Sequence, residues 1–242
     1  MTGYADIHCH ALYGVDDGAC DINESLAILR FMHDEGIRTV IMTPHYHGGR
    51  CEPAIDRVEN HFAKLQQTAA DDDKLGDMDL HLGCEIYYYP SIIEWLDEGR
   101  VATMAGSSYV LLEFGYTMEK RMITEGVGAV VNAGYRPVIA HVERYRKLVG
   151  DMKAMDELLE MGALIQINTG AFYEGFKIRS FIKKLLKNEM VHFVATDAHD
   201  DKNRAPYISQ EARYIAKHYG EDYCRRLLIE NPAAVIRNDP IS

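Results

Sequence analysis

Seven short apolar runs alternate along the chain with helical stretches, and most of the runs close on a residue able to bind a metal ion. The runs are Ala5–His8, Thr39–Thr43, Leu80–Glu85, Tyr109–Glu113, Pro137–His141, Leu164–Asn168 and Val191–Thr196. Most are continuously apolar, the pattern of parallel strands covered on both faces. Helical stretches separate them. Glu24–Glu35 is stopped by Gly36, and Pro53–Ala70 is opened by a proline suited to a first turn. Met118–Asn132, Met152–Glu160 and the basic, amphipathic Ile178–Asn188 follow, then Ala205–His218 and Tyr223–Ile229. Uninterrupted β-then-α units predict an α/β barrel, with a doubly wound open sheet as the alternative. In either fold, ligands bind beyond the C-terminal ends of the strands.

Those ends carry the chemistry. The first strand runs into His8-Cys9-His10, the second into Thr43-Pro44-His45, and the third closes on Glu85. The fourth closes on Glu113, the fifth on His141, and the seventh on Thr196-Asp197-Ala198-His199. Asp16-Asp17-Gly18 lies in the loop after the first strand. A His-x-His pair on extended chain puts both rings on one face, within reach of one ion. No single piece decides the matter: His45-Tyr46-His47 repeats the pair, Asp16-Asp17-Gly18 also suits a plain turn, and Glu143-Arg144 also suits a surface ion pair beside a core His141. Their recurrence at one end of the strands predicts a site, because strand ends converge in a barrel. Burying an unpaired carboxylate such as Glu85 or Glu113 is costly, and a cation removes that cost.

At 242 residues the chain suits one domain, 1–242. Its net charge of −11 argues against a nucleic-acid partner. The five cysteines are scattered, without a CxxC pair, which disfavours a thiolate zinc site and suits a reducing compartment. The N-terminus does not read as a signal peptide and no apolar run is long enough to span a bilayer, so a cytoplasmic protein without membrane insertion is expected. Cys51 and Arg57 match the Cys-x5-Arg spacing of cysteine phosphatases, but Pro53 lacks an N–H donor, and Glu52 and Asp56 would repel phosphate.

Taken together, the motifs resemble the polymerase-and-histidinol-phosphatase (PHP) superfamily, most closely its bacterial tyrosine-protein phosphatase branch of capsule and exopolysaccharide synthesis. The likeness rests on Asp6-Ile7-His8-Cys9-His10, Val15-Asp16-Asp17-Gly18, Thr43-Pro44-His45, Gly83-Cys84-Glu85-Ile86, Leu112-Glu113, His141-Val142-Glu143-Arg144-Tyr145, Thr196-Asp197-Ala198-His199 and the spacing of Arg204. The resemblance implies a distorted (β/α)7 TIM-like barrel of PHP type. It implies three divalent ions: one held by His8, His10, Glu85 and Asp197, one by bridging Glu85 with Glu113 and His141, and one by Asp17, His45 and His199. Imidazole and carboxylate donors without thiolate fit Mn2+, Fe, Mg or Zn, and the resemblance favours Mn2+. It implies phosphotyrosine hydrolysis by a metal-bridging hydroxide, with Arg144 and Arg204 on the phosphoryl oxygens and the phosphotyrosine tail of a bacterial tyrosine kinase as partner. His45, His199 and Asp200 are candidates for a general acid. The loop Tyr46-His47-Gly48-Gly49-Arg50 departs from relatives that carry a basic tract there.

Other readings compete. The same cluster could serve a histidinol-phosphate phosphatase or another small phosphomonoesterase, or a nuclease. From a different class, a metal-stabilised regulatory or assembly module could form a homo-oligomer through the apolar stripe Leu26, Leu29 and Met32. Tyr87-Tyr88-Tyr89 could line the site and stack on a substrate ring.

Overall fold

The computed structural model describes residues 3–241. Its strands are β1 (Tyr4–Cys9), β2 (Ile37–Met42), β3 (His45–Tyr46), β4 (Asp79–Leu82), β5 (Glu85–Tyr87), β6 (Tyr109–Glu113), β7 (Arg136–Ile139), β8 (Leu164–Asn168) and β9 (Phe193–Ala195). Every pairing is parallel, in the orders β1-β2-β4 and β3-β5-β6-β7-β8-β9. The two sheets are one bent surface. Chain passes from β2 to β3 through Thr43-Pro44 and from β4 to β5 through Gly83-Cys84. Pro44 has no N–H for the ladder. The bonds Gly83 N→Met42 O (2.8 Å) and Glu85 N→Pro44 O (3.0 Å) carry the pairing over the bends. Counted as bent strands, these segments restore the seven expected units. The first and last strands meet through His10 N→Ala198 O and Asp197 N→His8 O, both 2.8 Å, and this seam closes the distorted barrel.

Strand alternation divides the core. Tyr109 and Leu111 join Ile7, Ile41, Val138 and Phe193 in an inner cluster, capped by Met104 and Val235. Val110 and Leu112 face the other way, into the layer beneath the helices. The helices are α1 (Ile22–Asp34), α2 (Ile55–Ala70), α3 (Ile92–Asp97), α4 (Lys120–Asn132), α5 (Met152–Glu160), α6 (Phe176–Lys187), α7 (Ser209–Tyr219), α8 (Glu221–Arg225) and α9 (Asn231–Arg237). The Asp21 carboxylate caps α1 by accepting from the Asn23 and Glu24 amides. Leu26, Leu29 and Met32 are buried within the α1 packing layer, so that stripe is core and is not free to build an oligomer.

Two details differ from the sequence expectation. The third predicted strand is two, because the turn at Gly83-Cys84 lets Glu85 restart against His45 rather than continue beside β2. The short α3 and the closing α9 were outside the expected set. Among the described residues no helix is long and apolar enough to cross a membrane.

Candidate metal centre

All nine predicted ligands gather at the mouth of the barrel. A register shift between Asp6 and Cys9 puts an extra residue into β1. Ile7 therefore packs in the inner cluster while its neighbour His8 reaches the site. The Nε2 atoms of His8 and His10 lie 3.4 Å apart. Glu85 Oε2 is 3.2 and 3.3 Å from them, and Asp197 Oδ1 is 3.6 and 3.4 Å away. Donors about 2.1 Å from a tetrahedral ion stand about 3.4 Å from one another, so these four atoms have the spacing of a coordination shell.

Glu85 is fully buried and faces two ways. Its Oε1 lies 2.8 Å from His141 Nε2, which is 3.9 Å from Glu113 Oε1. His45 Nδ1 is 2.9 Å from Glu85 Oε2. Asp17 Oδ1, on an exposed side chain, lies 3.6 Å from His45 Nε2 and 3.5 Å from His199 Nε2. His10, Asp17, His45 and His199 offer donor atoms to a common point, as do His8, Glu85 and His141, and His45, Glu85 and Glu113.

The electrostatics suit cations. Among the described residues, Glu85 Oε2 and His199 Nε2 are buried without hydrogen-bond partners, although near several groups, as expected of atoms aimed at an ion. Burial pushes the Glu85 carboxyl up, but the surrounding imidazoles outweigh it and hold the group well below the usual range. Burial and the Glu85 charge push Glu113 up to about 7. Burial, and then the charge on His10, depresses His199 to about 3, leaving a neutral ring able to donate a lone pair. Metal binding to donors of this kind displaces protons from them.

A second layer orients the donors. The Asp16 carboxylate accepts from His10 Nδ1 (2.7 Å) and from the His45 and Gly18 amides (2.9 and 3.0 Å). Gln166 Oε1 lies 3.2 Å from His8 Nδ1 and accepts from the His141 amide at 2.7 Å. Gln166 Nε2 donates to Asn168 Oδ1, and Asn168 Nδ2 to Asp197 Oδ2. The one predicted strand without a terminal ligand thus supplies the two amides of this layer. Its only sequence signal is two amides inside an otherwise apolar buried strand. His141 and Asp197 both have positive φ, 31° and 54°, strain of the kind stored where a side chain must be aimed. Gly18 is required: a Cβ there would lie 2.0 Å from the His10 carbonyl oxygen.

Arg144 and Arg204 both reach the cluster. Arg144 Nη2 donates to Asp197 Oδ2 at 2.6 Å, and Arg204 Nη2 is 3.0 Å from Asp197 Oδ1. Together they line one large groove at the barrel mouth. Residues 4–237 match the family described as capsular polysaccharide synthesis, CpsB/CapC. The chain belongs to the CpsB/CapC family. The tyrosine-protein phosphatase CpsB of Streptococcus pneumoniae is 33% identical over 98% of this chain and 99% of its own. A solved structure from work on Bacillus subtilis YwqE and Streptococcus pneumoniae CpsB, described as unique metal-dependent tyrosine phosphatases, superposes with a TM-score of 0.89 at 32% identity, covering 98% of this chain and 96% of that one. Histidinol phosphate phosphatase of Lactococcus lactis shares the fold alone, with a TM-score of 0.62 and 15% identity over 90% of this chain and 94% of that one. Membership in CpsB/CapC bears out the resemblance read from the motifs.

Several finer expectations change. Glu143 is not on the surface: the turn after His141 buries it, its Oε1 accepts from the Asn168 amide, its Oε2 has no hydrogen-bond partner among the described residues, and burial pushes it up to about 7. Asp200 is unsuited to act as an acid. Its Oδ1 accepts from the amides of Lys202, Asn203 and Arg204, which hold the carboxyl below its usual range against a burial effect that raises it. It shapes the loop that presents Arg204. One face of Tyr87 is already stacked on His47, 4.0 Å away and 2° from parallel. Cys51 is bridged to His47, burial raises its thiol pKa, and Arg57 donates to the Gly14 carbonyl, so no cysteine-phosphatase loop exists there.

Proposed function

We propose that the whole chain, read as one domain, is a metal-dependent protein-tyrosine phosphatase of capsule or exopolysaccharide synthesis. The observation carrying this reading is Glu85, a buried carboxylate whose two oxygens face four imidazoles, those of His8, His10, His45 and His141, at the end of a groove lined by two arginines. We assign His8, His10, Glu85 and Asp197 to one ion, Glu85, Glu113 and His141 to a second, and Asp17, His45 and His199 to a third. His10 stands between the first and third sets. The donors fit Mn2+ best in our reading, with Fe, Mg or Zn also compatible. The partner we assign is the phosphotyrosine tail of a bacterial tyrosine kinase, met in the cytoplasm.

When bound, divalent ions supply Lewis acidity and a water of lowered pKa. The chain supplies the rest. Arg144 and Arg204 present planar forks suited to equatorial phosphoryl oxygens. Both now rest on Asp197; Asn168 Nδ2, also on Asp197, keeps that carboxylate in place as the arginines turn to substrate. A tyrosine oxygen leaves with a pKa of about 10, so it needs little protonation, which agrees with an ionised Asp200 and a neutral His199.

Substrate comparison tests the reading. Phosphate release, measured with Mn2+ on a phosphotyrosyl peptide and L-histidinol phosphate, is expected to favour the peptide by at least tenfold in kcat/KM, and single-stranded DNA, followed by strand cleavage, is expected to stay intact. A preference for histidinol phosphate would replace the tyrosine assignment with the small-phosphomonoester one.

Two further outcomes concern the ions themselves. Saturating Mn2+ at a hundredfold excess over its dissociation constant stabilises a protein by about 2.7 kcal/mol, or roughly 5–10 °C in Tm for a domain of this size. Differential scanning fluorimetry should show that shift, shrinking as pH falls because filling the site expels protons; no shift at any pH would contradict it. Asp16→Asn, which weakens the support of His10, should lower Mn2+ affinity by about 10–100-fold by calorimetric titration; unchanged affinity would remove Asp16 from the site.

A further inference from the structure

The groove beside the metal centre is larger than the reaction needs. Its volume is about 1040 Å³, at the upper end of cavities that hold a drug-sized molecule. Asp197, Arg144 and Arg204 line it, and so do Tyr116, Tyr173, Tyr207 and Lys177. Large hydrophobic side chains standing in solvent concentrate here. Tyr116, Tyr173 and Tyr207 are 51%, 62% and 55% exposed, and Phe176, 81% exposed, lies between the lining residues Glu174 and Lys177. Aromatics gathered around a cleft mark a recognition surface, since each pairs an apolar face with a polar edge. The Tyr173 ring is also fixed. Its hydroxyl donates to Oε1 of Glu211 at 2.5 Å, and Glu211 is buried. A small phosphate ester would touch none of this.

We infer that this groove docks the polypeptide flanking the phosphotyrosine, taking apolar or aromatic neighbours of the scissile residue against Tyr173, Phe176 and Tyr207. The inference rests on the phosphotyrosine reading above and names its substrate class: an extended segment of protein rather than a free phosphorylated amino acid. With the phosphate at Arg144 and Arg204, the chain leaves along the groove. Its flanking side chains meet the aromatic wall. Tyr173 is held in place before substrate arrives, so little of its order is lost on binding.

The test compares three substrates on the Mn2+-loaded enzyme: phosphotyrosine, a phosphotyrosyl peptide with Leu and Phe beside the phosphotyrosine, and the same peptide with Gly and Ser there. Wild type should favour the aromatic-flanked peptide over the Gly/Ser peptide through KM, by roughly tenfold if one or two aromatic contacts form. Tyr173→Ala/Tyr207→Ala should bring the ratio between the two peptides close to one, and Tyr173→Phe, which keeps the ring but frees it, should fall between. Turnover of phosphotyrosine compounds with equal KM on both peptides, or a preference that survives the double variant, overturns the groove assignment and leaves the phosphatase reading intact. No turnover of any phosphotyrosine compound sinks the phosphatase reading, and the groove assignment with it. Size-exclusion chromatography covers one other occupant: a wild-type dimer converted to monomer by the double variant makes this face a contact between two copies, and the assignment falls.

Discussion

Glu85→Gln is expected to reduce kcat/KM on phosphotyrosyl peptide by on the order of 10³-fold or more, the largest loss from any single substitution. The carboxylate serves two sides, with Oε1 toward His141 and Oε2 toward His8, His10 and His45. A glutamine presents one oxygen and one NH2. Whichever way it turns, one side meets a donor where an acceptor is needed, and one negative charge is lost from a buried cluster. Lewis-acid assistance contributes several kcal/mol to such a reaction, and each 1.36 kcal/mol is tenfold in rate. The accompanying measurement is metal content after dialysis, which should fall below that of wild type. The metal-free variant should melt lower than metal-free wild type, because the imidazoles that hold the Glu85 carboxyl below its usual range lose the charge that offsets them. Full activity with full metal content would remove Glu85 from its bridging place.

Arg144→Ala should be the next most damaging change, with kcat/KM lower by about 10²–10³-fold, the usual cost of losing one oriented donor to transition-state charge. Arg204→Ala should cost less, because its side chain is the more exposed of the two, 40% against 33%. Arg144→Lys restores charge without the planar fork and should recover only part of the loss. Metal content separates this role from Glu85's: the arginine variants should keep their ions yet bind inorganic phosphate, the product, more weakly. Unchanged phosphate inhibition and unchanged kcat would reduce Arg144 to a salt-bridge partner of Asp197.

The candidate donors were legible because a parallel strand buried on both faces leaves a simple trace, an apolar run, and the polar residue at its end stands out. His8, Glu85, Glu113, His141 and Asp197 all stand out this way, and the fold brings them together. Geometry that depends on chain far away in sequence left no such trace. Gln166 and Asn168 orient His8 and Asp197 across contacts spanning 158 and 29 residues, and on the sequence they are only polar interruptions of a strand. Glu143 reads as half of a surface ion pair until the turn after His141, at φ 31°, buries it. The break at Gly83-Cys84 was hidden because Leu80–Glu85 is as apolar as a single strand would be. The groove aromatics come from separate loops at Tyr116, Tyr173 and Tyr207, and only the fold gathers them.

The most direct test of the central claim is phosphate release from a phosphotyrosyl peptide by chelator-treated enzyme, before and after Mn2+ is restored, beside His8→Ala/His10→Ala. Wild type should be silent without metal and recover with it, while the double variant stays silent and takes up less metal. Release that persists in chelator, or a double variant as active as wild type, would contradict a catalytic metal centre at these residues.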